Sequence, residues 1–275
     1  MALLAGFALA AFIGYLGYRR RALSRSGVVG AIITGGLLFG LGGLPGAALL
    51  LAFFASSSAL SRFKESQKES LAEKFSKGSQ RDLGQALANG GAAALCIVGW
   101  AVTKQPAWWA ACAAALASAN ADTWATELGV LSKTPPRLIT SGQTVEVGAS
   151  GGVSAWGTFA ALAGSLLIAL TAFIAIRLDP NLHASRLISN SPTLLVIITL
   201  SGLAASLFDS FLGATAQAIY YCDGCHKETE RHPRHLCGSP TRPLRGWKWL
   251  DNDWVNFLAT AVGALIAAGL FVSIR

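Results

Sequence analysis

"ANADTWATELG", residues 119–129, decides how the chain is read, because it closes an alanine-rich apolar segment with Asn120, Asp122 and Glu127. A charge isolated in a membrane interior costs several kcal/mol or more, so ionisable groups there face a hydrated or protein-lined cavity. Asp122 and Glu127 stand five positions apart, and at 3.6 residues per turn their directions diverge by roughly 140°. They need different partners. An Asp satisfied by a structural Arg is one alternative; the expectation drawn here is that a bound Mg²⁺–nucleotide, and not a fixed basic partner, balances both acids.

Working outward, the composition puts the whole chain in a membrane. Its 275 residues are 53% hydrophobic and 13% charged, with a mean hydropathy of +0.49, the profile of an integral membrane protein. Apolar segments near the roughly 20 residues that a spanning helix needs recur at 2–18, 27–43, 46–61, 84–103, 106–130, 151–176, 193–221 and 253–273. The expected fold is an all-α polytopic integral membrane protein of about eight transmembrane helices, one domain over residues 1–275. The second and third segments can also be read as a re-entrant pair around "GLGGLPG". The first segment carries its basic cluster after the apolar run, opposite to a cleavable signal, and is expected to be a retained span.

Basic residues gather after the first segment and in the loops 62–83, 131–150 and 221–252, which together put 18 of the 22 Lys and Arg on one side. The positive-inside rule makes that side cytoplasmic. The N-terminus is then outside, in a bacterial-type plasma membrane. A net charge of +8 is ordinary for such loops and calls for no nucleic-acid partner.

Polar groups concentrate at the segment ends on the same side. In "SRFKESQKESLAEKFSKGSQRDLGQALANGG" (61–91), Lys64, Lys68 and Arg81 stand beside Asp82, Gln85 and Asn89; the last three share one helix face at i, i+3 and i+7. A solvated loop that binds lipid headgroups would need only the lysines, and the amides favour a polar site. "LFDSFLGATAQAIYY" (207–221) spaces Asp209, Gly213 and Gln217 four apart, and "WLDNDWVNF" (249–257) opens the last segment with Asn252, Asp253 and Asn256. "PPRLITSGQTVEVGASGGVS" (135–154) offers Arg137, Thr140, Gly148, Gly151 and Gly152 ahead of a helix start, where unpaired N–H groups and the helix dipole favour anions.

Carboxylates that hold Mg²⁺ beside cations that hold phosphate are what phosphoryl transfer requires. Metal binding and catalysis are therefore expected of Asp122, Glu127, Asp209 and Asp253. Phosphate or nucleotide contacts are expected of Lys64, Lys68, Arg81, Asp82, Gln85, Asn89, Arg137, Thr140, Gly148, Gly151, Gly152, Gln217, Asn252 and Asn256. The polar site lies at the cytoplasmic side.

"YYCDGCHKETERHPRHLCG" (220–238) carries a separate signal: Cys222 and Cys225 form C-x2-C, and His235 and Cys237 form H-x-C. Cys3His is a structural zinc set, with His226 and His232 as competing ligands and free thiols as the alternative. A reducing compartment disfavours disulfides, and Cys96 and Cys112 read as core residues.

The stretches "GSQRDLGQALANGG", "ADTWATELG", "PPRLIT", "VGASGGVSAWG", "DSFLGATAQ" and "LDNDWVNF", with the Ser-Arg-Phe-Lys run at 61–64, lie in order over residues 60 to 260. Together they resemble the transmembrane protein 19 family, which includes the plastid phytyl-phosphate kinase of tocopherol synthesis. The resemblance implies transfer of the γ-phosphate of a nucleoside triphosphate, CTP in the first instance, to a prenyl monophosphate, with Mg²⁺ as cofactor and any zinc structural. A CTP-dependent lipid-phosphate cytidylyltransferase and an anionic-lipid transporter or flippase are the alternatives. The transporter predicts charges through both halves of the membrane, whereas the noncytoplasmic loops are almost bare of them.

Overall fold

The computed structural model of the protein describes residues 2–63, 80–179 and 191–274. Lys64 and Lys68 lie outside the described residues. The described helices are α1 (Ala2–Arg19), α2 (Arg25–Arg62), α3 (Leu83–Thr103), α4 (Pro106–Gly129), α5 (Ala155–Leu178), α6 (Ser191–Thr215) and α7 (Asn252–Ser273). Six of them, all but α4, are long and apolar enough to cross a membrane.

The exception explains the architecture. Every residue of α4 from Trp109 to Ala121 is buried, and the helix packs against α2, α3, α5, α6 and α7. Protein rather than lipid surrounds it, so alanine is apolar enough, and small side chains let five neighbours approach. Asn120 ties the inner helix in place. Its Oδ1 accepts from Ser56 Oγ at 3.0 Å and Ser57 Oγ at 3.1 Å, and its Nδ2 donates to the Gly164 carbonyl at 2.7 Å.

Within α2 the chain folds back. Gly43 has φ 59° and ψ −151°, a backbone that a side chain would strain. A Cβ at Gly46 would lie 2.3 Å from the Leu38 carbonyl oxygen, so the arms touch at once. This is the pairing of 27–43 with 46–61 around "GLGGLPG". Its tip reaches Ile97 near the end of α3 and Trp109 in the first turn of α4, while its open end meets the start of α3. There Ser24 N donates to the Arg81 carbonyl and Arg81 N to the Ala22 carbonyl, both at 3.0 Å.

The helical membrane fold carries one addition. Two small antiparallel sheets join the helices at their polar end: β1 (Arg137–Leu138) with β2 (Gly152–Val153), and β3 (Ile219–Cys222) between β4 (Lys227–Thr229) and β5 (Thr241–Arg245). The segment expected over 193–221 is helical only to Thr215, where Ala216 N and Gln217 N both close on the Leu212 carbonyl. The Ile-Tyr-Tyr run beyond it has strand-forming side chains and pairs with β4 and β5. Likewise α5 begins at Ala155 rather than 151, because the Ser154 hydroxyl caps Gly157 N at 3.1 Å.

Candidate functional site

A polar cleft of about 280 Å³ opens where the N-termini of α3, α5 and α7 meet the C-terminal ends of α4 and α6. Its helical wall carries Gln85 and Asn89 from α3, Asp122 and Glu127 from α4, Asp209 from α6, and Asn252 and Asn256 from α7, with Arg81 just ahead of α3. The other wall is built from loops and the start of β2: Gly148, Gly151, Gly152, Gln217 and Glu230. Sequence reasoning placed all of these in the site except Glu230.

Asp122 and Asp209 come from different helices, yet they lie within electrostatic reach of each other and of Glu230. Asp209 Oδ2 is buried without a hydrogen-bond partner. Glu230 is held at the cleft by Gln217 Nε2, which donates to its Oε1 at 2.8 Å, and by Ser150 Oγ at 3.2 Å. Glu127, by contrast, accepts from Ser61 Oγ at 2.5 Å and stands within electrostatic reach of Arg81. The expectation that no fixed basic group balances Glu127 is therefore corrected.

Arg81 is clamped by its backbone, and its guanidinium lies over the rings of Phe53 and Phe54, 5.2 and 5.7 Å from their centroids. Burial lowers its pKa to about 10 against the opposing pull of Glu127, so it is charged at neutral pH. Its Nη1 is buried without a hydrogen-bond partner.

Four expected site residues lie elsewhere. Asp82 caps α3: its Oδ1 accepts from Gln85 N at 2.9 Å while Gln85 Oε1 accepts from Asp82 N at 3.2 Å, a capping box. Arg137 and Thr140 are exposed outside the cleft lining, and Arg137 Nη1 donates to the Gly142 carbonyl of its own turn at 2.8 Å. Asp253 lies in the first turn of α7, outside the lining.

The glycine loop fits for a steric reason. Gly151 has φ +84°, and a Cβ there would lie 2.5 Å from the backbone nitrogen of Ala214, so only glycine lets this loop lie on α6. Arg245, missed by sequence reasoning, fastens the contact: Nη1 donates to the Gly213 carbonyl at 2.7 Å and Nη2 to the Ser150 carbonyl at 3.4 Å.

Behind the loop wall, Cys222, Cys225, His235 and Cys237 form a group able to hold a metal ion, their ligand atoms all within 4.8 Å of one another. The separations are 3.6 Å for Cys222 Sγ to Cys237 Sγ, 3.5 Å for Cys225 Sγ to His235 Nδ1, and 3.3 Å for His235 Nδ1 to Cys237 Sγ. A tetrahedral ion with zinc–sulfur bonds of about 2.3 Å spaces its ligand atoms by roughly 3.5–3.8 Å. Hydrogen bonds, led by the Ser239 side chain, pull the Cys237 thiol down to about 5, while Cys237 and Cys222 push Cys225 up to about 11; a bound dication favours the thiolate of both. The competing histidines are engaged differently: His232 stacks on Tyr220 with centroids 4.4 Å apart, and His226 is an exposed residue of the turn between β3 and β4.

Comparison with known proteins agrees with this architecture. Residues 8–264 match the family described as integral membrane protein DUF92. The chain belongs to that family. It is 32% identical over 274 residues to Protein PGR of Arabidopsis thaliana, covering 94% of this chain and 93% of that protein. An uncharacterized membrane protein of Methanocaldococcus jannaschii is 29% identical over 262 residues, covering 93% of this chain and 89% of its own. A Synechocystis membrane protein, also uncharacterized, is 30% identical over 251 residues, covering 88% and 78%. No solved structure matches the DUF92 chain significantly.

Proposed function

We propose that this DUF92 protein is a prenyl-phosphate kinase that transfers the γ-phosphate of a nucleoside triphosphate, CTP in the first instance, to an isoprenoid monophosphate. The observation that carries the reading is the meeting of Asp122, Asp209 and Glu230 with Arg81 and the Gly148–Gly152 loop in one cleft at one end of an apolar bundle.

The donor set fits Mg²⁺. All candidate ligands are hard oxygens, and Asp209 Oδ2 is a buried acceptor without a partner. An ion of this kind keeps its waters and is shared between one or two carboxylates and substrate phosphates. When bound, Mg²⁺ supplies neutralisation of the phosphate charge.

Asp122 and Asp209 would hold the ion with Glu230 beside them, and Arg81 with the backbone N–H groups around Gly151 would hold phosphate oxygens. A phosphate oxygen of the acceptor attacks the γ-phosphorus, the bond from that phosphorus to the bridging oxygen breaks, and CDP leaves. The acceptor is already ionised, so no group need remove a proton. Lys64 and Lys68 remain assigned to phosphate by the sequence, and the Cys3His cluster is assigned a structural zinc. The cleft is assigned to the cytoplasmic face. Exposed Trp247, Trp249 and Trp254, packed ring against ring beside it, match the aromatic belt of a membrane interface.

Incubating the purified protein with CTP, Mg²⁺ and a panel of isoprenoid monophosphates, with products read by mass spectrometry, tests this. Isoprenoid diphosphate with CDP is expected. Pyrophosphate release with a CDP-lipid would assign a cytidylyltransferase instead, and no product with any nucleotide would overturn the kinase reading.

A further inference from the structure

A second cavity adjoins the polar cleft. It is an apolar groove between α1, α2 and the start of α3, lined by side chains such as Ala10, Ile13, Leu50, Phe53 and Phe54. Leu51, 38% exposed, stands at its lip. The groove and the cleft share three residues: Arg81, Gln85 and Asn89.

We infer that this groove holds the hydrocarbon tail of a lipid monophosphate, with the phosphate at Arg81 where groove and cleft join. The inference rests on the kinase reading above and adds where the acceptor lies. An amphiphile answers two requirements that no soluble ligand answers together. The aromatic and aliphatic walls need an apolar occupant, which is stabilised by the apolar surface it withdraws from water. At the groove's inner end a buried guanidinium nitrogen has no acceptor, and leaving such a donor unmet is costly. A phosphate oxygen is the acceptor that guanidinium geometry suits.

The placement also explains why Arg81 is so firmly held. Backbone hydrogen bonds to residues 22 and 24 fix its main chain, and the rings of Phe53 and Phe54 flank its side chain. Those rings belong to the groove, so the tail packs against the same aromatics that carry the cation. A nucleotide entering by the cleft and a lipid entering by the groove would meet at one positive charge, which brings two anions within reacting distance.

The test is photolabelling of the full-length protein in nanodiscs, without nucleotide, by a long isoprenoid monophosphate carrying a diazirine at the tail end. Label is expected on α1 and α2 within the groove. Unlabelled long isoprenoid monophosphate should compete, whereas the corresponding alcohol, inorganic phosphate and phosphatidylglycerol should not. Ala31→Trp, which fills the groove, should lower labelling by about tenfold and raise KM for the long substrate by about as much, while KM for dimethylallyl monophosphate changes little. Label on other helices, or equal competition by phosphatidylglycerol, would overturn the inference. The wild-type label map decides this by itself if Ala31→Trp does not fold. Groove labelling in a protein that makes no diphosphate would instead overturn the kinase reading and leave the lipid site standing.

Discussion

The two walls of the cleft are held by different physics. Asp122 and Asp209 ride on helices whose positions follow from burial: α4 is enclosed by five neighbours, and packing against them fixes where its last turns point. The loop wall has little core of its own. Glu230, Ser150 and Gln217 are held by a few directed bonds, by the Arg245 clamp, and by a Cys3His cluster whose members stand five to eight residues from Glu230 along the chain. Non-directional packing tolerates the loss of one contact, whereas a wall of single hydrogen bonds and one metal-binding cluster does not. The helical wall should therefore carry the chemistry, and the loop wall should set how well a ligand is gripped.

The largest effect is expected on the helical side. Asp209→Asn should insert and fold yet lower turnover by roughly 10²- to 10³-fold, as loss of a charge partner to the transition state does. Phosphoryl-transfer kinetics at saturating Mg²⁺ and nucleotide, with thermal stability as the control for folding, would check it. Near wild-type turnover would break the contrast between the walls.

The next effect belongs to the loop wall. Cys222→Ser with Cys225→Ser should abolish zinc binding by metal analysis, lower thermal stability, and weaken Mg²⁺–nucleotide affinity by about tenfold, the scale on which outer supports of a site act. The maximal rate should fall far less than in Asp209→Asn. Equal losses of rate in both variants would mean that the loop, too, carries chemistry.

Asn120→Ala sharpens the contrast from inside the core. It leaves the buried Ser57 hydroxyl without its partner and takes one bond each from half-buried Ser56 and the Gly164 carbonyl, so stability should fall by about 1–3 kcal/mol while turnover per folded molecule is unchanged. Denaturation in detergent and active-site titration separate the two. Smallest of all, Arg137→Ala should alter activity within about twofold, since an exposed side chain bonded to its own turn contributes little; steady-state kinetics checks it.

The helical wall was legible because its signals are anomalies. A carboxylate in an apolar run, as at Asp122 and Asp209, has few places to go, and the spacing of Gln85 and Asn89 points them to one face. Glu230 carried no such mark: in "KETER" it is one charge among ordinary loop charges, and only the pairing of β3 with β4 and the reach of Gln217 bring it to the cleft. Arg245 is hidden in the same way. Asp82 is engaged as a cap because "DLGQ" has the spacing of a capping box, where the backbone competes for the carboxylate. Arg137 and Thr140 were drawn into the site by nearby glycines, but the turn at Gly142 directs Arg137 back onto its own loop. The overrun of α6 to 221 has a plain cause, since Ala-Ile-Tyr-Tyr continues the apolar run after the helix has ended.

The most direct test of the central claim is transfer of labelled γ-phosphate from CTP to a long isoprenoid monophosphate, measured side by side in the purified wild type and in Asp122→Asn. The account predicts labelled diphosphate from the wild type and a loss of roughly 10²-fold or more in the variant, with its fold intact. Equal labelling in both proteins would show that Asp122 is a structural acid and that the chemistry lies outside this cleft.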